Sequence, residues 1–189
     1  ILLNNDIESQ MVFGTGTSYG AELFFKKKTG KFTGWVSYTL GTTKLQFDEI
    51  NKGLAFPAKQ DRTHDLSLVG MYKLNKKWSL SSTWVFQTGN AVTFPSGKYT
   101  IGEQVVSYFT ERNGYRMPNY HRLDLGATWM VKQTEKYESS WTFSVYNAYN
   151  HKNAYSISFK ESETNPGYTE AVKLSLFGIV PSVSWNFKF

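Results

Sequence analysis

The 189-residue chain has no cysteine. No disulfide framework, thiolate metal site or cysteine nucleophile is therefore available to it. Nowhere does it reach the ~18 consecutive apolar residues that a spanning helix needs, which excludes helical membrane proteins. Helical periodicity is absent throughout, and four of the five prolines fall in expected loops. Charged residues are sparse at 19%. The net charge of +6 raises nucleic acid as a partner. However, the lysines gather in short turns, Lys26-Lys27-Lys28-Thr29-Gly30-Lys31 and Lys73-Leu74-Asn75-Lys76-Lys77. Without a basic helix or a binding motif these read as hairpin ends, and no nucleic-acid partner is expected. The first residues, Ile1-Leu2-Leu3-Asn4, carry neither an initiator Met nor a basic leader, so a processed or excised chain is expected.

What the chain has is aromatic residues, at 17%, and alternation. In the last nine residues Val183, Trp185, Phe187 and Phe189 point one way while Ser182, Ser184, Asn186 and Lys188 point the other. Period two makes a strand with one apolar and one polar face. A soluble protein turns the apolar face inward, and a membrane barrel turns it outward to lipid. The same pattern predicts strands over about 18–28, 31–46, 63–74, 77–89, 120–132, 139–148, 154–161 and 170–189. The longest connection, 90–119, carries its own small hairpin, with Tyr99–Ile101 and Val105–Phe109 flanking Gly102-Glu103-Gln104. A bend or bulge is expected at Pro181. Eight strands joined as successive hairpins describe an all-β, antiparallel up-and-down sheet.

Chemistry is thinly represented. Gly14-Thr15-Gly16 precedes a strand pattern rather than a helix, so it does not read as a phosphate loop. His64 lies beside Asp61 and Asp65, and His121 precedes Asp124. Alternation puts both histidines on the apolar face and Asp65 and Asp124 on the polar one, which separates any Ser-His-Asp set. With His151 in a turn, no two histidines have metal-ligand spacing. No catalytic residue, metal or cofactor is expected in this segment. Arg62, Asp65, Arg122 and Asp124 are candidates for a charge ladder on the polar, lumenal face.

Several segments resemble the C-terminal barrel section of TonB-dependent outer-membrane receptors of the Bacteroides type. Tyr19-Gly20-Ala21-Glu22-Leu23 looks like the family's small-Gly-x-Glu-Leu strand start, and Gly34-Trp35-Val36-Ser37-Tyr38-Thr39 like its next strand. Arg122-Leu123-Asp124-Leu125-Gly126-Ala127 is similar to its Arg-x-Asp-x-Gly-Ala strand. Tyr146-Asn147-Ala148-Tyr149-Asn150-His151-Lys152-Asn153-Ala154-Tyr155 resembles its Asn-Leu-Phe-Asp-Lys-Lys-Tyr turn, with Ala148 and Tyr149 in place of Leu-Phe. The terminal Phe189, with Val183, Trp185 and Phe187, resembles the closing strand of Gram-negative outer-membrane β-barrels, which their assembly machinery recognises.

The resemblance implies that residues 1–189 form a transmembrane β-barrel section of about eight strands, roughly the last third of a 22-stranded barrel whose plug domain is absent. The implied function is TonB-dependent nutrient uptake across the outer membrane of a Gram-negative bacterium, of a siderophore, corrinoid, glycan or peptide. Implied partners are the rest of the barrel and plug, TonB through that plug, a surface lipoprotein, and outer-membrane lipid and lipopolysaccharide. Counting strands back from a periplasmic C-terminus puts the 162–169 loop outside and the 147–153 turn inside. The connections 133–138, 74–77 and 28–31 then fall outside, and 90–119 and 47–62 inside, against the usual short-inside, long-outside layout. On that count Lys26, Lys27, Lys28, Lys31, Lys76 and Lys77 meet lipopolysaccharide phosphates. Two other readings remain open: a complete eight-stranded outer-membrane barrel acting as adhesin, structural protein or enzyme, and a soluble lipocalin-like ligand-binding barrel.

Overall fold

Where β-branched and aromatic residues alternate with Ser and Thr, the chain forms long strands, and where Gly, Asn or Thr can satisfy a tight reversal, it turns. A computed structural model describes residues 11–102, 104–165 and 168–189. In chain order the strands are β1 (Gly14–Lys27), β2 (Phe32–Phe47), β3 (Phe56–Pro57), β4 (His64–Lys73), β5 (Trp78–Gln87), β6 (Ala91–Val92), β7 (Gly97–Ile101), β8 (Gln104–Tyr108), β9 (Tyr115–Arg116), β10 (Tyr120–Gln133), β11 (Glu138–Tyr146), β12 (Ser156–Glu161), β13 (Thr169–Leu174) and β14 (Val180–Lys188). The protein is all-β and antiparallel. Among the described residues no helix is long and apolar enough to cross a membrane, which says nothing of crossing by strands. Glu103 and Pro166, two residues of expected turns, lie outside the described residues.

The long strands follow one another across the main sheet in the order β1-β2-β4-β5-β10-β11-β14, with β3 beside β2. The sheet is open among the described residues, since β1 and β14 each have one neighbour. Short turns have identifiable causes. Gly30 takes φ +95 between β1 and β2, a region that costs other residues strain. The Asn75 side-chain oxygen accepts from Lys77 N at 2.8 Å and Trp78 N at 2.9 Å between β4 and β5. Thr134 exchanges bonds with the Tyr137 backbone between β10 and β11.

Two compact units share the chain. Among the described residues, the smaller comprises 11–21, 41–63 and 89–117. It holds the three apolar residues that are buried among the described residues, Phe56, Ala58 and Ala91. Their neighbour Asp61 is buried, and its carboxylate accepts from Thr43 N and from Arg116 Nη2. Arg116 Nη1 also donates to the Asp61 carbonyl at 2.7 Å, so one ion pair joins two long connections. The expected hairpin within 90–119 is present as β7 and β8.

The larger unit, 22–40, 64–88 and 118–189, corrects the expected strand count. The seventh expected strand, 154–161, forms β12 and leaves the main sheet to pair with β13 in a two-stranded sheet of its own. The eighth, 170–189, divides into β13 and β14, and only β14 rejoins the sheet, beside β11. The break at 175–179 has an identifiable cause. Ile179 N donates to the Asn150 side-chain oxygen at 3.1 Å, and the Phe177 carbonyl accepts from Asn147 Nδ2 at 3.5 Å, so this segment is bonded to the asparagine turn and not to a strand.

One wall strand fewer inverts the parity count. Glu138 is opposite both Gln133 and Lys188, so residue 189 lies at the same end as the short turns 28–31, 74–77 and 134–137. The long connections leave from the other end. The six lysines assigned to lipopolysaccharide by the count thus share an end with residue 189, and the basis of that assignment is removed.

Gly34 and Gly70 face each other across β2 and β4. A Cβ on Gly34 would lie 2.1 Å from the Val69 carbonyl oxygen, a backbone atom that cannot turn aside. Gly34→Ala is expected to lower the free energy of urea unfolding by about 1–3 kcal/mol. Gly97→Ala, where nothing lies within 4 Å, is the control and is expected to stay within about 0.5 kcal/mol of the parent. Equal effects would show that strand approach at Gly34 is not the constraint.

Candidate functional site

In the larger unit, register decides which residues share a face. Trp78 is opposite Trp129, Trp129 opposite Trp141, and Trp141 opposite Trp185. Four strands thus carry one continuous row of indoles, with centroids 6.1 Å apart in the Trp78–Trp129 and Trp141–Trp185 pairs. Eight residues along β10, a second row runs Tyr38, Leu66, Phe86 and His121. Its polar ends are paired: Tyr38 OH with His64 Nδ1 at 2.8 Å, and His121 Nδ1 with Tyr149 OH at 2.8 Å.

Between the rows the same face presents Phe32, Val36, Leu68, Tyr72, Leu80, Trp84, Leu123, Leu125, Phe143, Val145 and Val183, with no charged residue. At about 3.3 Å per residue the rows are about 26 Å apart along a strand. A tilt of about 40° reduces this to roughly 20 Å, close to the ~25 Å apolar band of a membrane barrel. Gly34, Gly70 and Ser82 recess the middle of the face, and a trough of about 690 Å³ opens there between Tyr72, Leu80, Leu125 and Phe143. Among the described residues, forty-one large apolar or aromatic side chains are exposed against three buried apolar ones. A chain bathed in water would rarely leave so much apolar surface uncovered.

The opposite face is rich in Ser and Thr, with Trp35, Val69, Met71, Val85 and Met130 among them. Thr128 and Thr142 hydroxyls bond at 3.1 Å, and Ser144 and Ser182 at 2.6 Å. Its charged centre is the Arg122–Asp124 ion pair at 2.9 Å. Arg122 Nη1 also donates to Tyr120 OH at 2.7 Å and Tyr146 OH at 2.9 Å, and its guanidinium lies over the Tyr146 ring at 4.1 Å. The other Asp124 oxygen accepts from Asn147 N at 2.9 Å. Of the four candidate ladder residues, the structure therefore brings Arg122 and Asp124 together. Asp65 accepts from Gln87 Nε2 at 2.7 Å, and Arg62 belongs to the smaller unit.

Sequence reasoning did not identify Asn147, Asn150 and Asn153 as fastening residues, although their crowding in one turn was a signal. Asn147 is buried with φ 53, a left-handed conformation that asparagine tolerates. Its side chain donates to the His151 carbonyl at 2.9 Å and accepts from His151 N at 3.0 Å. Asn153 brackets His121 with bonds to its N–H and carbonyl at 3.0 and 2.9 Å. The His121 and His151 rings stack at 3.7 Å. Partial burial, the charge of His121 and that of Lys173 hold His151 below the usual imidazole range. Among the described residues no group of three or more His, Cys, Asp or Glu is placed to hold a metal.

Comparison with protein-family models, curated proteins and solved structures gives no match.

Two outcomes follow. Asp124→Ala frees the Arg122 guanidinium and the Asn147 N–H at once and is expected to cost about 1–3 kcal/mol in urea unfolding, whereas Tyr146→Phe, losing one acceptor, costs about 0.5–1.5 kcal/mol. For His151, a folded pKa below the unfolded value of 6.5 means that the unfolded turn binds more protons. Its contribution is complete above pH 6.5 and declines as pH falls through the folded value. The hydrogen-exchange protection of His151 N–H is expected to drop on acidification, and His151→Phe to remove that dependence; a flat profile in the parent would contradict the sign.

Proposed function

We propose that this chain is a section of the wall of an outer-membrane β-barrel, belonging to a TonB-dependent nutrient transporter. The observation that carries the membrane reading is the uncharged, exposed apolar face of the larger unit, bounded by an indole row at one end and a Tyr/His row at the other. Side chains on such a face gain about 1.5–3 kcal/mol each on leaving water, and lipid is the solvent that covers a whole sheet face without a protein partner. A soluble ligand-binding barrel would bury this face, and among the described residues three apolar side chains are buried, all in the smaller unit.

The transporter reading adds the ordered resemblance from residue 16 to 189. Two of its quoted segments meet in space, Arg122 and Asp124 of one bonding Tyr146 and Asn147 of the other. The strand layout supports it as well. With residue 189 in the periplasm, the turns 28–31, 74–77 and 134–137 are periplasmic and the long connections are external, the arrangement usual for such barrels. In this reading β1 and β14 take the remaining strands of the barrel as neighbours, the Ser/Thr face lines a lumen filled by a plug, and the cargo is a siderophore, corrinoid, glycan or peptide. The residues here supply wall and closure, with no catalysis.

The test is cell fractionation of the full-length protein. It is expected in the outer-membrane fraction, resistant to alkaline carbonate and urea, with faster electrophoretic mobility before boiling than after. The gene upstream of Ile1 is expected to encode a plug domain. Recovery as a soluble protein without detergent would sink the membrane reading. Membrane retention with a signal peptide directly before Ile1 would instead favour a complete small barrel.

A further inference from the structure

Charge in this protein is distributed by strand end. The segments 26–31, 73–77, 132–138 and 186–189 all lie at the end bearing the indole row. Together they hold ten lysines and two carboxylates, Glu135 and Glu138, while the other basic and acidic residues of the chain number eleven and thirteen. The whole positive excess therefore resides at one end of the larger unit. All ten lysines are exposed, and among the described residues none is in an ion pair. Lys31 and Lys73 are placed directly across from each other, joined by a 2.8 Å backbone bond. Like charges opposite one another destabilise a sheet, and an anionic partner at this end would offset that repulsion.

The position of the lysines identifies that partner. Lys76 and Lys77 immediately precede Trp78, and Lys132 lies three residues beyond Trp129, where the bulge at Val131 sets it opposite Ser139, the residue that bonds the Trp185 indole. Three residues along a strand are about 10 Å, or about 8 Å along the membrane normal at a tilt of ~40°. Indole rings sit at the hydrocarbon boundary, and the head-group layer outside it is about 5–8 Å deep. The ammonium groups thus reach the plane of lipid phosphates. We infer that this lysine rim binds anionic phospholipid head groups of the leaflet at the residue-189 end, the periplasmic leaflet of the outer membrane, an inference that rests on the membrane reading above. Each lysine near an anionic surface contributes on the order of a several-fold gain in affinity, and the rim would hold the barrel at one depth and one orientation.

The experiment uses the full-length protein and a variant in which Lys28, Lys31, Lys76, Lys77 and Lys136 are all replaced by Gln. Both are refolded from urea into vesicles of phosphatidylcholine, of phosphatidylcholine with phosphatidylglycerol, and of phosphatidylcholine with lipopolysaccharide. Insertion is read by tryptophan emission and protease protection. For the parent, half-insertion is expected at roughly tenfold less lipid with phosphatidylglycerol than without, a gain lost in 0.5 M salt because the screening length falls to a few ångströms. The variant is expected to insert into neutral vesicles as the parent does and to show no gain from phosphatidylglycerol. An undiminished gain in the variant, or a gain confined to lipopolysaccharide vesicles, overturns the inference and leaves the membrane reading standing. Failure of the parent to insert into any vesicle overturns both.

Discussion

The main sheet has an apolar face that nothing in the described chain covers, and this constraint governs the rest of the structure. A strand with period two can hide one face only by packing it against a second layer. The larger unit provides none for Val36, Leu68, Trp84, Leu123 or Phe143. Among the described residues its buried side chains are polar: Ser139, Ser140, Asn147 and Ser162. Domain stabilities are ordinarily about 5–15 kcal/mol, and a dozen apolar side chains at about 1.5–3 kcal/mol each exceed that. The medium against this face therefore decides whether the sheet is stable.

What the chain does supply internally is fastening. Backbone ladders join the strands, but the end of the sheet where the long connections leave is tied by side chains. Asp124 reads a backbone N–H at Asn147 and a guanidinium at Arg122, and Asn147 and Asn150 hold 175–179 against the 147–153 turn. Arg122, Asp124 and Asn147 are partly or wholly shielded from water, where hydrogen bonds are worth more than in bulk. Asp61 and Arg116 do the same within the smaller unit, where a carboxylate buried to 1% exposure gathers backbone and guanidinium donors.

Most of the strands could be read from alternation because period two survives whether the apolar face meets lipid or protein. Trp78–Gln87 and Tyr120–Gln133 were legible for that reason. Residues 154–189 were less so. Tyr155, Ile157 and Phe159 alternate as a wall strand does, and alternation carries no information on which strand lies beside which. The break at 175–179 is made by asparagines some 30 residues earlier, and a contact of that kind leaves no local period. Arg122 and Asp124 were legible as a pair on one face. The acceptors Tyr120 and Tyr146 were not, since tyrosine reads as apolar in a pattern while its hydroxyl acts as a polar group.

That single misassigned strand had a large consequence because sidedness is a parity and not a sum of small errors. Counted as two wall strands, 154–161 and 170–189 put the lysine turns opposite residue 189 and produced a layout with long connections on the periplasmic side. With β12 and β13 set apart as a separate hairpin, the lysine turns, the indole row and residue 189 come to one end, and the long connections to the other. On the membrane reading proposed above, the conflict with the short-inside, long-outside arrangement then disappears. Charge asymmetry, aromatic position and connection length are independent properties of the sequence, and the register of β11 against β14 aligns all three along the same axis.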